Sequence, residues 1–524
     1  MNCRRVVAVT RLELRIQRRE PLTVLYMLVL SLLAAAFAAA GPVELVRDRG
    51  AVPRDAPWAL MLASTALTAF GQVITTMVAA TVVLRDRADR VSDLLAATRV
   101  TGHEYLTGKL MAALAMLLLI YTAIPLGLIV GALVGGGELG AALPGALRPF
   151  IVVVLPTMLT IGALQFAVGV LSGRLWTIVG QGLILIWVWT ACAGAAAQAD
   201  NSWMSVLDPF ASAPLLEATS GWSDAERMTL MMPVTTLLVL NRLGWFLVAA
   251  IAATIAVRRG VPPRTTPVTV TMPVTAERIA TGTQRQSTAR AAKPAPLAGC
   301  VGTALHSLRW MIRDAGWRVL TVLGVLNVGV HAVIDAAGAS GPAPATGHAV
   351  QALLVHSRLF LILLATIYAG ELLWREREDR SAAFFDSAPI PTVALHGGRM
   401  LGVVLAQCIV AMLLTVSAAA GSAIGCRCAV TPDLLVLAGV QSVLLPFVSW
   451  MMVALAVHVA VQQKVVAHLV CIAGWVLGVL LLGAADGGTQ APTMIWPILI
   501  GGMLSAALAL ALWRRGDGRC AGQQ

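Results

Sequence analysis

Twelve stretches of this chain, near 21–40, 58–84, 106–134, 150–172, 176–197, 236–257, 317–335, 350–373, 396–424, 434–460, 465–485 and 494–513, are apolar almost without interruption. A run of roughly 20 apolar residues crosses a bilayer as a helix. Inside hydrocarbon, a backbone that is not helical or closed into a barrel leaves its polar groups unsatisfied. A barrel would alternate in segments of about ten residues; these runs are continuous, so the expected fold is an all-α membrane protein with twelve transmembrane helices. Composition agrees. Only 12% of the 524 residues are charged, against about 25% in soluble domains. The first run follows a basic amphipathic stretch and has no small-residue cleavage site, which predicts a retained helix rather than a signal peptide.

The formal charge of +12 raises nucleic acid as a partner, and its distribution argues against one. With the amino terminus in the cytoplasm, six arginines fall on the opposite side (Arg47, Arg49, Arg54, Arg148, Arg227, Arg427) and two lie in or near helices (Arg242, Arg358). The remaining 30 of the 38 Lys and Arg are cytoplasmic. Acidic residues divide almost evenly, the pattern of a positive-inside rule that acts on Lys and Arg and ignores Asp and Glu. Twelve crossings return the carboxyl terminus to the cytoplasm, so the basic balance reflects topology.

Segment 258–302 is rich in Pro, Thr, Arg and Gly and has no apolar period, the composition of a disordered linker. It divides the chain into residues 1–257 and 303–524, each with six runs. Arg85, Asp86, Arg87, Asp89 and Arg90 recur 290 positions later as Arg375, Glu376, Arg377, Asp379 and Arg380. The same offset, without a gap, carries Leu94-Leu95 onto Phe384-Phe385, Gly108-Lys109 onto Gly398-Arg399, and Arg174 onto Lys464. Each half also opens on a basic amphipathic stretch, 4–19 and 303–318, suited to lying on a membrane surface. Equal helix numbers in the same orientation predict parallel repeats related by an axis along the membrane normal, unlike the inverted repeats of many secondary transporters.

Between the second and third runs of each half stands a segment with an ionic and an apolar face. As a helix, 86–98 gathers Val91, Leu94, Leu95 and Thr98 on one side and Asp86, Arg87, Asp89, Arg90 and Asp93 on the other. A solvated loop obeying the positive-inside rule would need only Lys and Arg. Mixed charge in two matched copies points instead to a surface that docks on another protein.

The order of a basic elbow, six crossings, "RDRADRVSDLLAATRVTGHEYLTGKL" and a short basic loop resembles the permeases of type-2 ABC transporters. Glu104, Tyr105, Gly108, Lys109 and Leu110 match the family's E-Y-x-x-G-K-L-like run. A subgroup with two fused permease units, sometimes followed by a zinc aminopeptidase, is resembled more closely, through "RLELRIQRREPLTVLY", "LDPFASAPLLEATSGWSDAER", "LLVLNRLGWF", "YAGELLWREREDR" and "VHVAVQQKVVAHLV". The resemblance spans both halves but not the linker.

It implies two six-helix permease repeats in a bacterial inner membrane, whose coupling helices meet two copies of an ABC ATPase. The residues implied in that coupling are Arg85, Asp86, Arg87, Asp89, Arg90, Leu94, Leu95 and Arg174, with Arg375, Glu376, Arg377, Asp379, Arg380, Phe384, Phe385 and Lys464. No G-x-x-x-x-G-K-[ST] occurs, so ATP is expected on a separate chain, and this one is expected to be no enzyme and to hold no cofactor. The zinc motif H-E-x-x-H is absent too; at His103-Glu104-Tyr105-Leu106-Thr107 a Thr stands where the second ligand would be. The eight cysteines form no framework and no zinc spacing. The alternative is a non-transporting scaffold in contact with membrane lipid and a partner such as a separately encoded peptidase. Among intramembrane polar residues, Arg242 and Arg358 are expected to snorkel to the interface, Glu371 to cap or pair locally, and His458 and His468 to be hydrogen-bonded packing residues. None is assigned to substrate.

Overall fold

A computed structural model describes residues 2–40, 52, 56–88, 98–196, 202–259, 296–337, 345–378, 392–426, 430–461 and 463–485. Among them every regular element is helical. The first half comprises α1 (Cys3–Arg19), α2 (Pro21–Ala40), α3 (Pro57–Ala88), α4 (Gly102–Tyr121), α5 (Ala123–Val134), α6 (Leu139–Pro149), α7 (Leu155–Ser172) and α8 (Leu175–Ala196). Short helices α9 (Ser202–Leu207), α10 (Ser212–Ala218) and α11 (Asp224–Thr229) precede α12 (Thr236–Arg259). The second half comprises α13 (Pro296–Arg313), α14 (Ala315–Ala337), α15 (Ala345–His356), α16 (Arg358–Glu378), α17 (Thr392–Cys426), α18 (Pro432–Ala438), α19 (Leu445–Ala460) and α20 (Lys464–Ala485).

Eleven of the twelve apolar runs are helical, and the twelfth, 494–513, lies outside the described residues. By length and composition, eight helices of the described residues can cross a membrane, or nine if the pair α15–α16, bent by 44° at Ser357, is one span. The chain is a multi-pass, all-helical membrane protein. Two boundaries differ from the sequence expectation. Helix α12 continues to Arg259, and α13 begins at Pro296, where the missing N–H of proline costs a helix nothing. Residues 260–295 of the expected linker lie outside the described residues. The separate helix expected over 86–98 is also different, because α3 runs on through Arg87 to Ala88.

Matched contacts recur in the two halves. A π-helical turn occupies Phe150–Val154 and another Gly439–Leu444, each followed directly by Leu-Pro, at 155–156 and 445–446. Proline cannot donate to the ladder and crowds the carbonyl four residues back; the wider turn absorbs that misfit. Close approaches repeat as well. A Cβ at Gly131 would come within 2.8 Å of Ala38 Cβ and clash with the Ala35 carbonyl, and one at Gly421 within 2.8 Å of Ala332 Cβ, clashing with the Gly329 carbonyl. Small residues of this kind let membrane helices pack backbone to backbone.

The two halves lie side by side through α8 and α14. Gly180 faces Val319 near the start of both helices, and Thr190 Oγ1 lies 3.4 Å from Asn327 Oδ1 further along. These helices therefore run in the same direction. Arg85, at the end of α3, and Arg375, near the end of α16, consequently sit at one end of the bundle, here termed the basic end.

Candidate functional site: two junctions at the basic end

In the first half, α1 is clamped to the ends of α3 and α4. Asn2 caps α1, its side chain accepting from Arg4 N at 3.1 Å, while its own N–H donates to Glu104 Oε1 at 2.7 Å. Glu104 also closes a capping box with Thr101 at the start of α4 and takes an ion pair from Arg5 at 3.4 Å. One turn further in, Arg85 Nη2 donates to both Glu13 oxygens at 2.8 Å. Below it Asp86 is bonded to Lys109 Nζ at 2.6 Å and accepts from the Tyr105 hydroxyl; Lys109 donates also to the Val82 carbonyl at 2.6 Å. Glu13, Asp86 and Lys109 are all buried. Buried charges survive when they are paired and hydrogen-bonded, as Glu13, Asp86 and Lys109 are here, while Arg85 Nη1 carries no hydrogen bond.

Arg85 and Asp86, expected on a face offered to a partner, are thus bound within the chain. Arg87 belongs to the end of α3, and Asp89, Arg90, Leu94 and Leu95 lie outside the described residues. Arg174 is exposed in the break between α7 and α8, just after Gly173 turns the chain through the left-handed region (φ 63°).

The second junction has the same frame and a different filling. A Cβ at Gly108 would meet Val9 Cβ at 2.7 Å and the Val6 carbonyl at 3.0 Å; one at Gly398 would meet Thr303 Cβ at 2.8 Å and clash with the Cys300 carbonyl. Each elbow helix therefore seats on the glycine of its own half in one register. Arg375 lies over the Trp310 ring, 4.3 Å from its centroid. Tyr368 donates to Asp314 Oδ2 at 2.5 Å, and Asp314 caps the first turn of α14 through Trp317 N at 3.1 Å. Glu371, expected to pair locally, reaches across helices to Lys464 at 2.7 Å. The side chains of Glu376 and Arg377, and all of Asp379, Arg380, Phe384 and Phe385, lie outside the described residues.

At the opposite end the structure corrects the reading of Arg242. The guanidinium does not snorkel; it is buried, donating to Asn241 Oδ1 at 2.8 Å, to the Asp208 and Pro209 carbonyls at 3.2 Å, and to the Thr157 hydroxyl. Asn241 in turn donates to the carbonyls of Ser205, Val206 and Asp208 at 2.8–2.9 Å. Burial pushes the Asp208 carboxyl above the usual carboxylate range, although Phe210 N, Ala213 N and Ser212 Oγ donate to it. The network fastens the loop over α9–α10 to α7 and α12. Arg242→Ala would leave several buried acceptors unsatisfied and is expected to cost about 2 kcal/mol, read as a lower thermal midpoint of the purified protein; an unchanged midpoint would refute this role.

Three polar clusters lie within the bundle. Gln165 donates to Thr76 at 2.7 Å beside Gln72, all against the open side of Gly182. His331 stacks on His356 with ring centroids 3.7 Å apart, and Asn327 ties both into the bend at Ser357. His458 and His468 meet edge to face at 4.5 Å against Gly370, and His468 bonds the Lys464 carbonyl, one turn back, at 2.6 Å. Arg358 is exposed at the bend. Among the described residues no His, Cys, Asp and Glu group could hold a metal ion.

No family model matches the chain, and no curated protein matches it significantly.

Proposed function

We propose that this chain is the transmembrane permease subunit of an ATP-driven exporter of the type-2 ABC class, in a bacterial cytoplasmic membrane with its basic end inward. The two halves act as two six-helix units, and ATP is hydrolysed on a separate chain in two copies. The observation that carries this reading is the placement of Arg85 and Arg375, the first residues of the two charged motifs, at one end of the bundle, each against its own elbow helix. The resemblance of the motif to a coupling helix supports the same assignment.

In this reading the labour within each motif divides. Arg85 and Asp86 fasten the motif to α1 and α4, and Arg375 rests on α13, so a push on the segments that follow is delivered to rigid elements. The contacts with the ATPase fall to Arg87, Asp89, Arg90, Leu94 and Leu95 and to their counterparts Glu376, Arg377, Asp379, Arg380, Phe384 and Phe385. Arg174, exposed between α7 and α8, offers a further contact; Lys464, held by Glu371, positions α20 against α16.

Co-expression with a candidate ATPase tests the assignment. Replacing Arg87, Arg90, Arg377 and Arg380 with Ala should reduce co-purified ATPase by about tenfold or more, since truncated interfacial charges cost 2–5 kcal/mol, with membrane insertion and thermal midpoint unchanged. Undiminished co-purification would refute the coupling role. Substrate loss from cells that persists when the ATPase's P-loop lysine is replaced would refute ATP-driven export.

A further inference from the structure

The two junctions differ in what faces the motif arginine. On α1, Glu13 stands four residues after Val9, which packs on Gly108; on α13, Ser307 stands four residues after Thr303, which packs on Gly398. Ser307 therefore takes the place of Glu13. Arg85 has Glu13 as its anion, whereas its counterpart Arg375 lies over Trp310, and among the described residues no carboxylate pairs with it. Where the first junction is filled by an ion pair, the second holds a cavity of about 340 Å³. Ser307 and Arg375 line it together with the apolar side chains of Met311, Leu372 and Leu395. Glu371, the carboxylate of the lining, is already bonded to Lys464 at 2.7 Å.

The faces of α13 indicate from which side a guest arrives. At about 100° per residue, the lining positions 299, 303, 307 and 310 share one face. The exposed Leu297, Val301, Leu305 and Ile312 lie on the opposite face, where a surface-lying helix meets acyl chains. One edge of the cavity face, at Ala304 and Met311, is buried. The other carries Gly302, His306, Arg309 and Arg313, all exposed. The cavity therefore opens to water along a cationic strip, which concentrates anions at its mouth. An arginine fork matches the oxygens of a carboxylate or phosphate. The apolar floor and the volume suit a compact organic body, since small-molecule pockets are mostly apolar with a few polar groups that fix orientation.

We propose that this cavity binds a small, water-soluble organic oxyanion, a carboxylate or phosphate ester entering from the solvent at the basic end. Its charged group meets Arg375, supplying there the negative charge that Glu13 supplies at Arg85, and its apolar body rests on Met311, Leu372 and Leu395. The bound anion braces the second elbow helix against α16 and α17 as the Glu13 carboxylate braces the first against α3. The inference concerns the second half alone and does not depend on an ATPase partner or on export.

The test uses the full chain in neutral detergent at constant ionic strength, with phenyl phosphate, benzyl alcohol and inorganic phosphate as probes. A ligand that binds only the folded state raises the thermal midpoint by mass action. Phenyl phosphate should raise it saturably and at lower concentration than inorganic phosphate, and benzyl alcohol should not raise it. Ser307→Glu rebuilds within the chain the pair seen in the first half. It should raise the half-saturating phenyl phosphate concentration about tenfold while keeping the ligand-free midpoint. Arg375→Gln should raise it as far; if Ser307→Glu unfolds the protein, this variant decides alone. Arg15→Gln, exposed on the first elbow helix, should leave it unchanged. An unchanged value in Ser307→Glu or Arg375→Gln, or an equal rise in Arg15→Gln, would overturn the proposal. So would equal stabilisation by benzyl alcohol, which would mean a groove blind to charge, or by inorganic phosphate, which would mean a site with no use for an apolar body. Loss of the phenyl phosphate effect on adding dioleoylphosphatidylglycerol would overturn it too, by making this a lipid headgroup site.

Discussion

Lys109→Met should destabilise the protein by about 3–5 kcal/mol, the usual result of removing one partner from a buried ion pair. The ammonium is 3% exposed and has two bonds at 2.6 Å, one to Asp86 and one to the Val82 carbonyl. Methionine fills a similar volume, so lost packing is a small part of the effect. What remains is a carboxylate at Asp86, buried beside Arg85, whose Nε is 3.7 Å away and whose terminal nitrogen is already committed to Glu13. The Tyr105 hydroxyl alone cannot replace the solvation that burial removed. Adding Asp86→Asn removes the stranded charge and should restore most of the loss, because the amide oxygen still accepts from Tyr105. Thermal unfolding of the purified single and double variants measures both. A single variant as stable as wild type, or a double variant no better than the single, would show that the pair does not hold α3 to α4.

Gly127→Leu is expected to abolish folding of the first half. A Cβ there would lie 2.7 Å from Ala34 Cβ and 2.9 Å from Ser31 Cα, and would clash with the Ser31 carbonyl. Two of these obstacles belong to the backbone, so no rotamer change relieves them, and α2 and α5 must separate. Overpacking against movable side chains costs about 1–3 kcal/mol; against backbone the cost should exceed that range. Gly244→Leu is the control, because nothing lies within 4 Å of a Cβ at Gly244 and the position is exposed on α12. Size-exclusion profiles and protease resistance of the two variants should differ sharply. Equal profiles would refute the close approach of α2 and α5.

The kind of reading each residue permitted explains what was legible beforehand. The spans could be located because twenty apolar residues in a row are a local property. The matched charged motifs could be found because an offset of 290 is visible by alignment. Arg242 was misjudged because its position at the start of α12 says nothing about the loop at 205–209 that folds over it. Gln72, Gln165 and Thr76 went unnoticed because neutral polar side chains in a span give no charge signal; only packing against Gly182 brings them together. Glu371 was placed with its own helix, and its partner Lys464 lies on another.

The all-helical, many-span architecture was decided by the sequence alone. A chain with so few charges and such long apolar runs must satisfy its backbone hydrogen bonds within each segment, whatever those segments pack against. The tertiary structure alone decided which charges turn inward. Arg85 finds Glu13 72 residues away and Arg375 finds Trp310 instead, since the energy of a buried charge depends on what lies within a few ångströms in space, and chain order does not encode that distance.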